Sequence, residues 1–82
     1  MNSVEVRGGI YLAGVDLPTG VVRLEVTPLS DYSSYYGVST DLEELYAREN
    51  LKDKVYVELR EGEFVKIEVD DDDQRVIVTK IR

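Results

Sequence analysis

The residues best suited to contact a ligand are the tyrosines of one short segment. Tyr32, Tyr35 and Tyr36 flank two serines, in a chain that holds six tyrosines and a single phenylalanine. A phenol combines an apolar ring with a polar tip, so clustered tyrosines and serines can form a surface for a sugar or a protein. We interpret Tyr32, Tyr35 and Tyr36 as a candidate binding surface. The alternative is that these rings are half-buried at a sheet edge with their hydroxyls in water.

Four consecutive aspartates, Asp70 to Asp73, are the most acidic run of the chain. Carboxylate oxygens are the ligands that Ca²⁺ prefers. The EF-hand spacing is absent, however, because no glycine stands at the sixth position of the run and Ile81 occupies the twelfth, where a bidentate glutamate would be needed. We therefore predict no metal site here and interpret the run as a solvated turn that adds negative charge. A calcium site of looser strand-turn geometry is the alternative.

The chain contains no histidine and no cysteine. This excludes a Ser-His-Asp triad, a thiolate nucleophile and the usual zinc-ligand sets. Glu43, Glu44 and Glu49, with Arg48 four residues after Glu44, are most simply an exposed, salt-bridged face. Pairs of carboxylates are inevitable among 17 acidic residues, so none is assigned to glycoside hydrolysis. We predict no catalytic residue, no cofactor and a protein that is not an enzyme.

The net charge of −7 bears on the partner and the compartment. Phosphate recognition needs clustered lysine and arginine, and here ten basic residues are scattered among 17 acidic ones, so we expect no nucleic-acid partner.

No stretch approaches the roughly 18 apolar residues of a membrane span, and Met1 to Gly9 does not have the pattern of a signal peptide. Length and composition indicate one small folded domain over residues 1–82.

An alternation of apolar and polar residues with a period of two runs through most of the chain and predicts strands. It begins with Val4, Val6 and Ile10. In the clearest segment, Val22, Leu24 and Val26 share one face while Arg23 and Glu25 share the other. The remaining segments place Val55, Val57 and Leu59 on one face, then Val65, Ile67 and Val69, and end in the β-branched run 75–81.

Turn residues separate these segments. The sequence Asp16-Leu17-Pro18-Thr19-Gly20 predicts a turn, and Glu61-Gly62 predicts a tight hairpin between two strands. Residues 70–74 are expected to join the last two strands. The segment 40–49 breaks the alternation, and Thr40 as N-cap with Glu43 three residues later predicts a short helix with Leu42, Leu45 and Tyr46 on one face. An irregular strand and loop is the alternative.

These patterns predict a mainly β protein. We expect a small antiparallel β-sandwich or partly open barrel of six or seven strands, with one short helix near residues 40–49.

The run Gly9-x-Tyr11-x-x-Gly14-x-Asp16-Leu17-Pro18-x-Gly20 resembles the signature of a small domain common in Firmicutes, found mostly in uncharacterised exported proteins, lipoproteins and phage-associated proteins. The signature there continues to a tyrosine, which Val22 replaces in this chain. The segment from Tyr56 to Ile67 is similar to a later part of that domain. The resemblance implies a compact β domain, usually appended to a surface or envelope protein, with no catalytic residues. It favours an extracellular or cell-surface location.

Three functions follow as expectations. The first is a non-catalytic binding or accessory module, at the cell surface or associated with phage, that contacts a protein or a cell-wall glycan through Tyr32, Tyr35 and Tyr36. The second is a structural spacer or oligomerisation domain held together by pairing of edge strands. The third is a small acidic cytoplasmic regulator that binds a basic protein surface.

Overall fold

The computed structural model describes residues 2–82 as two four-stranded antiparallel sheets that enclose one core. The first sheet has the strand order β1-β8-β3-β6, and the second has the order β2-β7-β4-β5. The mainly β, antiparallel fold predicted from the sequence is confirmed. Residues 2–82 form eight strands in two open sheets, however, and not six or seven, because β5 begins within the segment predicted as a helix and pairs with β4. The strands are β1 (Ser3–Val6), β2 (Gly9–Leu12), β3 (Gly20–Thr27), β4 (Ser34–Ser39), β5 (Glu49–Leu51), β6 (Lys54–Leu59), β7 (Phe64–Glu68) and β8 (Arg75–Lys80).

The alternating residues of β3 behave as predicted. Val22, Leu24 and Val26 are buried, whereas Arg23 and Glu25 lie on the outer face of the first sheet. Valine suits this position because its branched side chain packs well on a pleated, half-buried surface. The core between the sheets consists of Val6, Ala13, Leu17, Val22, Leu24, Val26, Leu51, Leu59, Val65, Ile67, Val76 and Val78.

Ile10 is an exception to the predicted pattern. It was expected on the same face as Val4 and Val6, but 53% of it is exposed because it lies opposite Lys66 on the outer face of the second sheet. Its neighbour Tyr11 points inward instead and packs against the core. The hydroxyl of Tyr11 donates a hydrogen bond of 2.6 Å to the carbonyl of Arg7.

Six of the seven connections between successive strands cross from one sheet to the other, and β4–β5 is the exception. The tight hairpin predicted at Glu61-Gly62 is therefore wrong. A turn does form there, closed by the amide of Glu63 donating to the carbonyl of Arg60, but β6 pairs with β3 while β7 pairs with β2 and β4. Residues 70–74 join β7 to β8 as expected, and this connection also passes between the sheets.

The turn predicted at Asp16 to Gly20 forms earlier in the chain, at residues 14–16, where the amides of Val15 and Asp16 donate to the carbonyl of Leu12. The carboxylate of Asp16 accepts a hydrogen bond of 2.8 Å from the amide of Leu12, so the turn is closed by a side chain close in sequence. Leu17 directly follows this turn and is buried. Gly20 starts β3 with a φ of +104°, a backbone conformation that glycine adopts without strain.

The helix predicted near residues 40–49 is reduced to one 3₁₀ turn, Leu42–Glu44. Its N-cap is Asp41, whose carboxylate accepts from the amide of Glu43 at 2.9 Å, and not Thr40. Leu45 ends the turn in an extended conformation and is buried, whereas Leu42 and Tyr46 are exposed. Burial of Leu45 and the pairing of β5 with β4 need an extended chain, and these tertiary contacts outweigh the weak propensity of ten residues to form a helix.

Candidate functional site

A cleft of about 440 Å³ lies where the chain between β4 and β5 passes close to β6. Its wall combines two tyrosine rings, three charged side chains and two valines. β4 contributes Tyr36, Gly37 and Val38, residues 44–49 contribute Glu44, Tyr46, Arg48 and Glu49, and β6 contributes Val57.

Gly37 allows the two sides of the cleft to approach each other. It is buried, and a Cβ at this position would overlap with the backbone carbonyl of Tyr46. Any larger residue would therefore push the segment around Tyr46 away from β4. The glycine thus sets the position of the Tyr46 ring relative to the strand that carries Tyr36.

Tyr36 forms the inner part of the cleft. It is half-buried and packs against the hydrophobic core together with Val38. Burial, and then the negative charge of Glu49, raise the pKa of the Tyr36 phenol above its ordinary value of 10.0. The phenol is therefore neutral at physiological pH and is available as a hydrogen-bond donor.

The ring of Tyr46 carries a cation. The guanidinium carbon of Arg48 lies 4.3 Å from the centroid of that ring, which is the geometry of a cation–π contact. About half of Tyr46 is exposed, at 49%. The protein thus shows that this ring can accept a cation while it remains accessible to solvent.

The two glutamates of the cleft are without a charged partner in the part of the chain that the structure describes. The ion pairs among residues 2–82 are Arg23–Glu25, Arg60–Glu58 and Lys66–Glu68. The salt-bridged face predicted for Glu44 and Arg48 is therefore wrong, because that prediction assumed a helix in which they lie one turn apart. With Arg48 on Tyr46, both carboxylates of the cleft are left for another cation.

The three tyrosines predicted as one binding surface are separated by the fold. Tyr36 lines the cleft. The preceding residue on β4, Tyr35, lies on the outer face of the second sheet beside Glu68 and Asn50. Tyr32 precedes β4 in the connecting loop and is 73% exposed. Neighbouring residues on a strand point to opposite faces, so Tyr35 and Tyr36 do not share one surface.

Sequence reasoning missed most of the cleft. Tyr46 was predicted on the apolar face of a short helix and Arg48 on its exposed face. Val57 was predicted to face inward from its strand, and it does pack against the core as well as lining the cleft. Of these residues, only Tyr36 was predicted as part of a binding surface. Its inward direction could have been found from the period of two that it shares with Ser34 and Val38 in β4. The approach of residues 44–49 to β6 arises from tertiary packing alone.

The aspartate run does not form a cation cage. Among residues 2–82, no group of three or more carboxylates is arranged to hold a metal ion. Instead, the hydroxyl of Ser30 donates to the carboxylate of Asp70. The buried Gln74 holds this connection in place, because its side-chain amide donates to the carbonyl of Pro28 at 2.9 Å and its oxygen accepts from the amide of Asp71 at 2.9 Å.

The cleft offers recognition chemistry. Its two carboxylates and two aromatic rings suit a positively charged group that also carries apolar atoms, such as a lysine or arginine side chain.

None of the helices found in residues 2–82 has the length and apolar character needed to cross a membrane. Comparison of the chain with protein-family models, with curated proteins and with solved structures returned no significant match.

Proposed function

We propose that this chain is a non-catalytic binding module whose cleft receives a basic side chain of a protein partner. The observation that carries the proposal is the combination of the Tyr46 ring, already in contact with Arg48 at 4.3 Å, with the carboxylates of Glu44 and Glu49, which make no ion pair within residues 2–82. An incoming ammonium or guanidinium that displaces Arg48 from the ring would find both an aromatic face and negative charge in one place.

The overall charge supports the same class of partner. A net charge of −7 attracts basic surfaces at a distance and raises the rate of encounter with them. A cell-wall glycan would contact tyrosine rings equally well, but a neutral sugar would leave the two carboxylates without a counter-charge. We therefore favour a protein partner over a glycan. A cell-surface or phage-associated setting is part of this proposal and rests on the sequence resemblance.

The test uses two blocked peptides of equal length, one rich in lysine and one in which glutamines replace the lysines. Backbone amide chemical shifts of the protein are followed during titration with each peptide. We expect the lysine peptide to shift the amides of Tyr36, Tyr46 and Glu49, and the glutamine peptide to leave them unchanged. A soluble cell-wall oligosaccharide is titrated in parallel.

Tyr46→Ala provides the matched variant, with Tyr35→Ala as its control, because both tyrosines are exposed and only Tyr46 lies in the cleft. Loss of the cation–π face and of apolar area should weaken binding of the lysine peptide by about 10-fold in Tyr46→Ala. Tyr35→Ala should bind as the unmodified protein does. Equal binding by all three proteins, or binding of the oligosaccharide alone, would contradict the proposal.

A further inference from the structure

The strand β6 forms an open edge of the first sheet. It pairs with β3 on one side, and no other strand of residues 2–82 pairs with it. With six residues it is also the longest of the four edge strands, since β1 and β2 have four residues and β5 has three. The unpaired amides and carbonyls of such a strand can template pairing with another chain.

The hydrogen-bond pattern identifies which residues of β6 face this edge. The amide of Val26 donates to the carbonyl of Asp53 at 2.8 Å, so Asp53 directs its backbone groups toward β3. Successive residues of an antiparallel strand alternate between the two sides. The backbone groups of Val55, Val57 and Leu59 therefore point toward β3, and those of Lys54, Tyr56 and Glu58 point toward the open edge.

The sequence along this edge is self-complementary. Lys54 stands two residues before Tyr56, and Glu58 stands two residues after it. All three side chains are exposed, on the face opposite the core. If two copies of β6 pair in antiparallel orientation about Tyr56, each Lys54 lies opposite Glu58 of the other copy, and the two tyrosines lie opposite each other.

Other registers are less favourable. Centring the pair on Lys54 places lysine opposite lysine, and centring it on Glu58 places glutamate opposite glutamate, so like charges are juxtaposed. A register shift by one residue places the backbone groups out of phase. A shift by two residues, centred on Val55 or Val57, keeps them in phase but places Lys54 or Glu58 opposite Tyr56, so the Lys54–Glu58 pairs are lost. The register about Tyr56 satisfies both the charges and the hydrogen bonds.

We propose that the protein forms a twofold-symmetric dimer in which β6 pairs with β6 of a second copy. The first sheet of one copy then joins the first sheet of the other, and together they form one continuous sheet of eight strands. The Glu58–Arg60 ion pair does not oppose this arrangement, because both side chains are largely exposed and such pairs contribute little. Pairing of one short strand buries a small area, so we expect a dissociation constant on the order of 100 µM.

The experiment is sedimentation equilibrium from about 10 µM to about 1 mM, a range that spans the expected constant. The variants are Lys54→Glu, Glu58→Lys and the double exchange. Each single variant places like charges opposite each other twice in the dimer, so we expect dissociation constants about 10-fold higher. The double variant restores opposite charges and should recover the original constant to within about threefold.

The net charge gives an internal control. Lys54→Glu makes the chain more acidic, Glu58→Lys makes it less acidic, and the double variant keeps the charge of −7. If general repulsion between acidic monomers controlled association, the dissociation constant would rise for Lys54→Glu and fall for Glu58→Lys. That result would overturn the proposal. A protein that remains monomeric at the highest concentration would also overturn it.

A second measurement needs no variant. Hydrogen exchange of the Tyr56 amide should slow as protein concentration rises, because this amide becomes bonded only in the dimer. The Val57 amide points toward β3 and should exchange at a rate independent of concentration. A Tyr56 amide that behaves as Val57 does would contradict the pairing even if the variants fail to fold.

Discussion

The backbone carbonyl of Tyr46 lies directly over Gly37, at a distance that leaves no space for a Cβ. This contact brings the chain that precedes β5 close to β4, and it places the Tyr46 ring beside the cleft that Tyr36 lines. The obstruction is backbone rather than a flexible side chain, so it cannot be relieved by a change of rotamer.

Gly37→Ala should therefore destabilise the protein. Because β4 and the Tyr46 segment must separate to admit the methyl group, we expect a loss of about 1–3 kcal/mol in the free energy of unfolding, measured in denaturant. Gly8→Ala is the control, since the nearest atom to its Cβ would be 3.4 Å away and the free energy should change by less than about 0.5 kcal/mol. Equal effects of the two substitutions would contradict this account.

Arg48→Gln tests the role of the cation that already contacts Tyr46. If the ring accepts a basic side chain of a partner, Arg48 competes for the same face, and its removal also leaves the cleft more negative. We expect the lysine peptide to bind about threefold more tightly to this variant. Arg60→Gln removes an exposed charge outside the cleft and is the control. Weaker binding by Arg48→Gln would show that the arginine contacts the ligand itself.

The raised pKa of Tyr36 predicts a specific loss of stability in alkali. The folded protein retains the phenolic proton more strongly than the unfolded chain, whose pKa is near 10.0. The stabilisation that results, a contribution to the free energy of unfolding, is complete below pH 10. It is lost as the pH rises from there through the folded-state pKa. Tyr36→Phe has no such proton, so its thermal midpoint should fall less steeply above pH 10. Parallel decline of the two midpoints would contradict the prediction.

Gln74→Leu should destabilise the connection that carries the aspartates. The substitution removes the partners of the Pro28 carbonyl and the Asp71 amide, and we expect a loss of about 1–3 kcal/mol in the free energy of unfolding. Asp72→Asn alters an exposed side chain of the same connection and should be nearly neutral. If both variants melt as the unmodified protein does, Gln74 does not hold the β3–β4 connection and the β7–β8 connection together.

Local patterns predicted what depends on local chemistry. The inward face of β3 follows from the alternation of Val22, Leu24 and Val26. The chain also turns next to the predicted position, at residues 14–16 instead of Asp16 to Gly20. The fold class was predictable because several such segments occur in succession.

Partner choice between distant segments was not predictable in this way. The turn at Glu61-Gly62 reverses the chain, but turn residues do not determine which sheet the next strand joins. The helix prediction failed because it could not include the burial of Leu45 or the pairing of Tyr36 with Glu49. The cleft was missed for the same reason, since Tyr46 reaches it only through contacts made after folding.

The pairing of β1 with β8 also constrains when the domain can fold. Ser3 lies opposite Thr79, so β1, which is synthesised before the other seven strands, remains without its partner until β8 has been translated. Contacts between segments so distant in sequence slow folding, because closing the long intervening loop costs chain entropy before the contacts can form. A nascent chain would expose Val4 and Val6 throughout this interval. We expect stable structure to appear in one step, after residues 75–80 have left the ribosome.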